Sequence, residues 1–288
     1  MRLWHQHDLT SFTGHPKIGY TVFELEKFGE RELHSLNYPD LIVTCSEWGR
    51  NLCLSQGIDA KTVPLGYDET IFKPCDFEQR DNTVFANFGK WEIRKGHDVL
   101  IRAFNAAFDP KDEVTLIMMP TNGFIGSERS RVWEKMYLGS KMGDRIQIVP
   151  RVANHSEVYN IMSQVDCGVF PARAEGWNLE ALEMLGCGKH LIISNCTGHT
   201  EFVNDKNSRL IDMPEEFESA YDGIFFDGSS SWRKFTNDSF DSLVSELRDF
   251  HKKRFDKSAN HAGVEDASQF TWSKSTEKLS NVLKEFVC

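Results

Sequence analysis

The chain has 288 residues, of which 40% are hydrophobic and 26% charged, room for about two domains of ordinary globular balance. Its 33 Lys and Arg against 43 Asp and Glu leave a net charge of −10, and with no long Lys/Arg run this excludes a nucleic acid or an anionic membrane surface as the expected partner. No run of about eighteen apolar residues and no signal-peptide pattern is present, and the seven cysteines, odd in number and without a C-x-x-C pair, read as small core hydrophobes of a reducing compartment, so the expected location is cytoplasmic.

From the N-terminus, MRLWHQHD places Leu3, His5 and His7 on one face if extended. Two histidines with no third ligand nearby do not make a metal site. Ile18–Glu26 runs apolar and then acidic, ending in Glu24 and Glu26. Residues 29–36 read as a helix. Leu41–Cys45 is a strand closed by Ser46, which opens a helix that Gly57 ends. Thr83–Phe88 is the next strand. It leads into Gly89-Lys90-Trp91-Glu92-Ile93-Arg94-Lys95-Gly96 and a helix with Val99, Leu100, Ala103, Phe104 and Ala107 on its apolar face. Strands at Val114–Met119 and Ile146–Val149 then alternate with helices near 130–141 and 156–163, the loop Pro150-Arg151-Val152 following the second strand. This alternation predicts an α/β fold with a parallel, doubly wound sheet.

Asp166–Val203 carries the densest pattern: a strand at Cys167–Phe170, the turn Pro-Ala-Arg-Ala, then Glu175-Gly176-Trp177-Asn178. A helix follows, with Leu179, Leu182 and Leu185 at helical spacing, Asn178 as its cap, and Gly186 and Gly188 as its stop. Leu191–Ile193 is the next strand, and Thr197-Gly198-His199-Thr200-Glu201 starts another helix. In such a unit the loop leaving the strand faces the crevice at the carboxyl ends of the sheet. The helix start aims unpaired N–H groups and the positive end of its dipole there, which suits phosphate. Glu175 in the loop and Glu183 in the helix would flank that phosphate site, one carboxylate beyond the phosphates and the other beside them. A nucleoside diphosphate sugar has that polarity: hydroxyls at both ends and negative charge between. No G-x-G-x-x-G follows a strand, which counts against a dinucleotide-binding dehydrogenase. Beyond Val203, residues 210–235 read as irregular, 238–253 as helical, and Ser273–Phe286 as an amphipathic helix.

Glu175-x7-Glu183 in the setting EGWNLEALEMLGCGKHLIIS, followed by TGHTE, resembles the Glu-x7-Glu signature of retaining glycosyltransferases with two Rossmann-like domains, the GT-B fold of the group-1 or family-4 class. Val63-Pro64-Leu65-Gly66-Tyr67-Asp68 with Phe72-Lys73-Pro74 is similar to that family's domain junction. The resemblance implies a shortened N-terminal, acceptor-side domain over 1–75, a nucleotide-sugar domain over 76–265, and a last helix over 266–288 that crosses back. It implies Lys90, Lys95, Glu175 and His7 (or His5) as catalytic residues, and Gly176, Trp177, Asn178 and Leu179 at the diphosphate. Glu183 would hold the ribose, Arg151 and Val152 the base, and Glu24 the sugar or acceptor. Arg94 reads as a solvated neighbour. Lys90 stands where the family commonly has arginine, keeping the charge but losing the bidentate fork.

The implied reaction is transfer of a sugar from a nucleotide-diphosphate donor to an unidentified acceptor with retention of anomeric configuration. The donor is a substrate and no resident cofactor is expected. No D-x-D triplet occurs, so the expected chemistry is metal-independent. The first domain departs from the family pattern, at about seventy-five residues against the order of 100 for an independent one, and has no glycine-rich loop near the diphosphate. Either the chain is truncated at its start, or a partner completes the domain, as in a homo-oligomer. The alternative function is a nucleotide-sugar-binding scaffold without turnover.

Overall fold

A computed structural model describes residues 1–5, 8–77, 80–253 and 258–287. The first domain has four parallel strands, β1 (Arg2–Trp4), β2 (Ile18–Thr21), β3 (Leu41–Thr44) and β4 (Ala60–Thr62), adjacent in chain order. The helices α1 (Glu30–Leu36) and α2 (Glu47–Ser55) connect them. Both β2 and β3 are buried along their whole length, which is why they read as continuous apolar runs rather than alternating ones. Ser46 caps α2, its hydroxyl accepting from the Gly49 N–H at 3.0 Å. β1 and β4 have three residues each, too few for an alternation to register. Pairing with β2 and β3 is what makes them strands.

The second sheet comprises β5 (Thr83–Asn87), β6 (Val114–Met118), β7 (Ile146–Ile148), β8 (Cys167–Phe170), β9 (His190–Ser194) and β10 (Arg209–Ile211). All pairs are parallel and the spatial order is β10-β9-β8-β5-β6-β7. The intervening helices are α3 (His97–Ala107), α4 (Gly126–Leu138), α5 (His155–Met162) and α6 (Leu179–Gly186). Numbered within the domain, the strands run 3-2-1-4-5-6, and the order reverses between β5 and β8. The crevice outside that switch point is where ligands of such sheets bind.

Three local expectations are corrected. The helix expected near 130–141 starts a turn earlier, at Gly126. Thr197–Glu201 is a 3-10 turn rather than the start of an α-helix. Residues 210–235 are not irregular: they finish β10 and form an antiparallel hairpin, β11 (Phe217–Tyr221) and β12 (Asp227–Arg233). The hairpin shows little hydrophobic alternation because most of its residues are exposed or half-buried, and its register shifts between Ser219 and Tyr221. Helices α7 (Asn237–Lys252), α8 (His261–Ala267) and α9 (Trp272–Val287) complete the chain.

One apolar core joins the two sheets. Tyr20 and Val43 of the first domain share it with Trp177, Leu182 and Ile193 of the second, and Leu279, Val282 and Leu283 of α9 pack on it. The junction crosses the C-terminal segment closely: Tyr67 N–H donates to the Phe270 carbonyl at 3.0 Å and Trp272 N–H to the Tyr67 carbonyl at 3.3 Å. A Cβ at Gly66 would lie 2.2 Å from the Thr271 carbonyl carbon, so only glycine fits there. Among the described residues no helix is long and apolar enough to cross a membrane.

Candidate active site

The loops after β5 and β8 meet at the switch point. Asn87, the last residue of β5, donates from Nδ2 to the Val169 carbonyl of β8 at 2.7 Å, and its Oδ1 accepts from the Gly89 N–H at 2.8 Å. That side chain ties the start of one loop to the strand that feeds the other. Gly96 closes the first loop at φ +74°, where a Cβ would come 2.0 Å from the Pro171 carbonyl oxygen. A left-handed backbone and zero clearance both require glycine.

The two loops deliver a buried ion cluster. Lys95 Nζ lies 2.6 Å from Glu175 Oε1, and Arg94 reaches the other oxygen, Oε2, at 3.0 Å. Arg94 also contacts Glu92 at 2.7 Å and Glu24 at 2.9 Å, and donates to the Ala174 carbonyl at 2.7 Å. Arg94 is therefore buried at the centre of the site, not solvated, and neither it nor Glu92 was marked out by any motif. Burial alone would push the Glu175 carboxyl up, but Arg94 and then Lys95 outweigh it and hold the group well below its ordinary value. Glu24 goes the other way: burial pushes it up to about 7, with Arg94 opposing and Glu175 and Glu92 adding. Three carboxylates share two cations, and at Glu24 burial outweighs its pairing with Arg94.

Next to the cluster the chain offers hydrogen-bond donors. Asn178 adopts a left-handed backbone (φ +79°) and caps α6, its Oδ1 accepting from the Ala181 N–H at 3.1 Å. Among the described residues, the N–H groups of Gly176, Trp177, Asn178, Leu179 and Glu180 donate to no protein acceptor. The loop that carries them is braced from below. The Glu175 N–H donates to Thr197 Oγ1 at 3.0 Å, the Gly198 N–H to the Glu175 carbonyl at 2.8 Å, and buried His199 holds Asn178 Nδ2 at 3.0 Å. A braced run of free N–H groups at a helix start is suited to an anion. The carboxyl of Glu183, about one turn into α6, has no hydrogen-bond or ion-pair partner among the described residues, and burial, with Glu180 nearby, pushes it up to about 8.

The remaining expected residues are spread around this centre. Lys90 is exposed, its Nζ 5.5 Å above the Phe124 ring. Trp177 presents only its backbone to the crevice; the indole is buried against Phe202 and Phe270. Leu179 is half-buried at the first turn of α6. Arg151 is exposed and Val152 half-buried after β7, at the edge of the sheet, with the Arg151 N–H donating to Thr121 Oγ1 at 3.1 Å. His5 lies at the end of β1, lining the cleft beside Glu24; His7 lies outside the described residues.

Two Rossmann-like sheets facing one crevice are the architecture of the GT-B glycosyltransferases. Residues 82–225 match the family described as Glycosyl transferases group 1, and the chain belongs to that family. The chain is 22% identical over 296 residues to the O-antigen chain mannosyltransferase B of Escherichia coli, a match that covers 96% of this chain and 68% of that protein. Among solved structures, the sucrose-phosphate synthase of Thermosynechococcus elongatus superposes with a TM-score of 0.72 at 16% identity, covering 94% of this chain and 67% of that one. The Anabaena protein Alr3699/HepE, solved with UDP-glucose, gives 0.67 at 16% identity over 93% of this chain and 72% of that one. The chain thus spans roughly two thirds of the length of these relatives.

Proposed function

We propose that this glycosyltransferase moves a sugar from a nucleotide-diphosphate donor to an acceptor with retention at the anomeric carbon and without a metal ion. The observation that carries the reading is the meeting of Lys95 and Glu175 beside the five uncommitted N–H groups at the start of α6. Breaking the bond from sugar to phosphate leaves positive charge on the sugar and negative charge on the diphosphate. Lys95, and Lys90 at the mouth of the cleft, meet the second charge as cations, and the N–H groups of 176–180 meet it as fixed dipoles that need not reorganise. Glu175, kept ionised by its two cations, accepts from sugar hydroxyls. Glu183 accepts from the ribose, and the loop at Arg151 and Val152 covers the base. The unpaired buried thiols at Cys45, Cys53, Cys167, Cys187 and Cys196 support a reducing, cytoplasmic setting.

The test is calorimetric titration of the purified chain with UDP, GDP and ADP, each with and without EDTA. The expected result is saturable binding of one of the three, unaffected by EDTA. Binding abolished by EDTA would refute metal independence. Absence of binding by the folded chain would refute the donor site.

A further inference from the structure

The cleft also has an aromatic wall. A cavity of ≈ 200 Å³ is lined by the polar side chains of Glu24, Lys90, Glu92 and Arg94, with His5. It is lined as well by Trp4, at the end of β1, Phe124, in the loop after β6, and Phe225 and Phe226, in the turn joining β11 to β12. None of residues 175–180 lines it, whereas Lys90 does, so it adjoins the proposed diphosphate site without including the start of α6. Three of the four rings are exposed: Trp4 at 50%, Phe124 at 65% and Phe225 at 40%. Phe124 and Phe225 meet edge to face with centroids 5.2 Å apart. Exposed rings gathered around a cleft with a polar floor mark a binding surface, not a core.

The hairpin that presents two of these rings is fixed at its base to both domains. Glu26 N–H donates to the Ser231 carbonyl at 2.8 Å, and Arg233 pairs with Glu26 at 2.8 Å, which ties β12 to the segment after β2. Arg173, in the loop after β8, grips Glu218 of β11 at 2.7 Å and Asp98 of α3 at 2.9 Å. Buried Trp232 packs on Phe226 with centroids 5.3 Å apart. The turn itself is locked by Asp222, whose Oδ1 accepts from the N–H groups of Ile224, Phe225 and Phe226 at 2.8, 2.8 and 3.0 Å. The backbone at Phe225 is therefore held in position before any ligand arrives.

We propose that the β11–β12 hairpin forms the acceptor wall of this enzyme, and that the acceptor is a glycoside whose terminal pyranose ring lies with its C–H face on Phe124 and Phe225 and its hydroxyls toward Glu24 and Arg94. The assignment rests on the donor reading above. Flat apolar faces and carboxylate and guanidinium groups lining one cavity fit a molecule with one apolar and one hydroxylated side, and the cavity is of the size of a single ring. The second domain thereby supplies acceptor contacts beyond those of the first.

The probes are methyl pyranosides of glucose, galactose, mannose and N-acetylglucosamine, with sorbitol as the open-chain control. Each is added to the chain loaded with the nucleotide diphosphate it binds, and observed by saturation-transfer NMR. At least one pyranoside should bind, with saturation entering its ring C–H protons. Phe225→Ala should weaken it by about tenfold while leaving nucleotide affinity within about twofold, which also reports that the variant is folded. Phe225→Leu keeps the apolar bulk and loses the ring face, so it should weaken the pyranoside as well. Bound nucleotide with no pyranoside binding, pyranoside binding unchanged by these substitutions, or sorbitol binding as tightly as the pyranosides would each overturn the acceptor assignment alone. Failure of the unaltered chain to bind any nucleotide would overturn the donor reading, and this assignment with it.

Discussion

Glu183 gives the sharpest test of the nucleotide site, because its charge state and its role are linked. Its carboxyl is pushed up to about 8 from an ordinary 4.5, chiefly by burial, so near neutral pH the free protein holds the proton. Two ribose hydroxyls donating to the group favour its ionised form, so nucleotide binding should expel that proton. A group two pH units below its pKa is ionised about one part in a hundred. If only the ionised form accepts the ribose, Glu183's share of the affinity falls roughly hundredfold from pH 9 to pH 6. The assay is calorimetric titration with the preferred nucleotide diphosphate at pH 6, 7, 8 and 9, on the parent and on Glu183→Gln. Phosphate ionisation is common to both proteins and cancels in the ratio of their dissociation constants. The same group makes a stability prediction of definite sign. Between 4.5 and about 8 the native state keeps a proton that the unfolded state releases. Its contribution to stability is therefore full below 4.5 and is lost as pH rises through that window. Glu183→Gln should raise Tm relative to the parent at pH 9 and leave it unchanged at pH 4. A ratio of dissociation constants that does not vary with pH, or one that moves the opposite way, would refute the assignment of Glu183 to the ribose.

Two further substitutions separate catalysis from architecture. Lys95→Ala should lower turnover, followed as release of nucleotide diphosphate from the donor, on the order of 10²-fold, the cost of a lost charged contact in a dry site; turnover within about threefold of the parent would remove Lys95 from the leaving-group role. Arg94→Ala takes the guanidinium from among Glu24, Glu92 and Glu175 and should cost about 3–5 kcal/mol in urea unfolding near pH 8. The cost should be smaller at pH 5, where Glu24, pushed up to about 7, is protonated and less charge is stranded. A loss under about 1 kcal/mol at pH 8 would mean that the cluster is not a structural keystone.

The sequence determined the parts of this protein that depend on local periodicity. Apolar runs such as Leu41–Thr44 and Cys167–Phe170 read as buried strands and are strands, and the amphipathic spacing after Gly96 and after Asn178 reads as helix and is helix. Asparagine and glycine at fixed offsets in 175–188 marked the start and stop of α6, because a helix start and its cap are short-range geometry. Strand order was legible only as a class. That β5 lies beside β8, bringing Lys95 within 2.6 Å of a carboxylate eighty residues away, is a property of the assembled sheet and of no single segment. Three outcomes were decided by tertiary packing alone. Arg94 lies inside a triad of carboxylates instead of in water. The Trp177 indole turns into the core between Phe202 and Phe270 and leaves only its N–H at the crevice. The segment after β10 becomes a hairpin because Arg173, Glu26 and Trp232 hold it there. In each case the energy that settles the matter is a contact between residues distant in the chain, and a pattern of period two or 3.6 carries no record of such contacts.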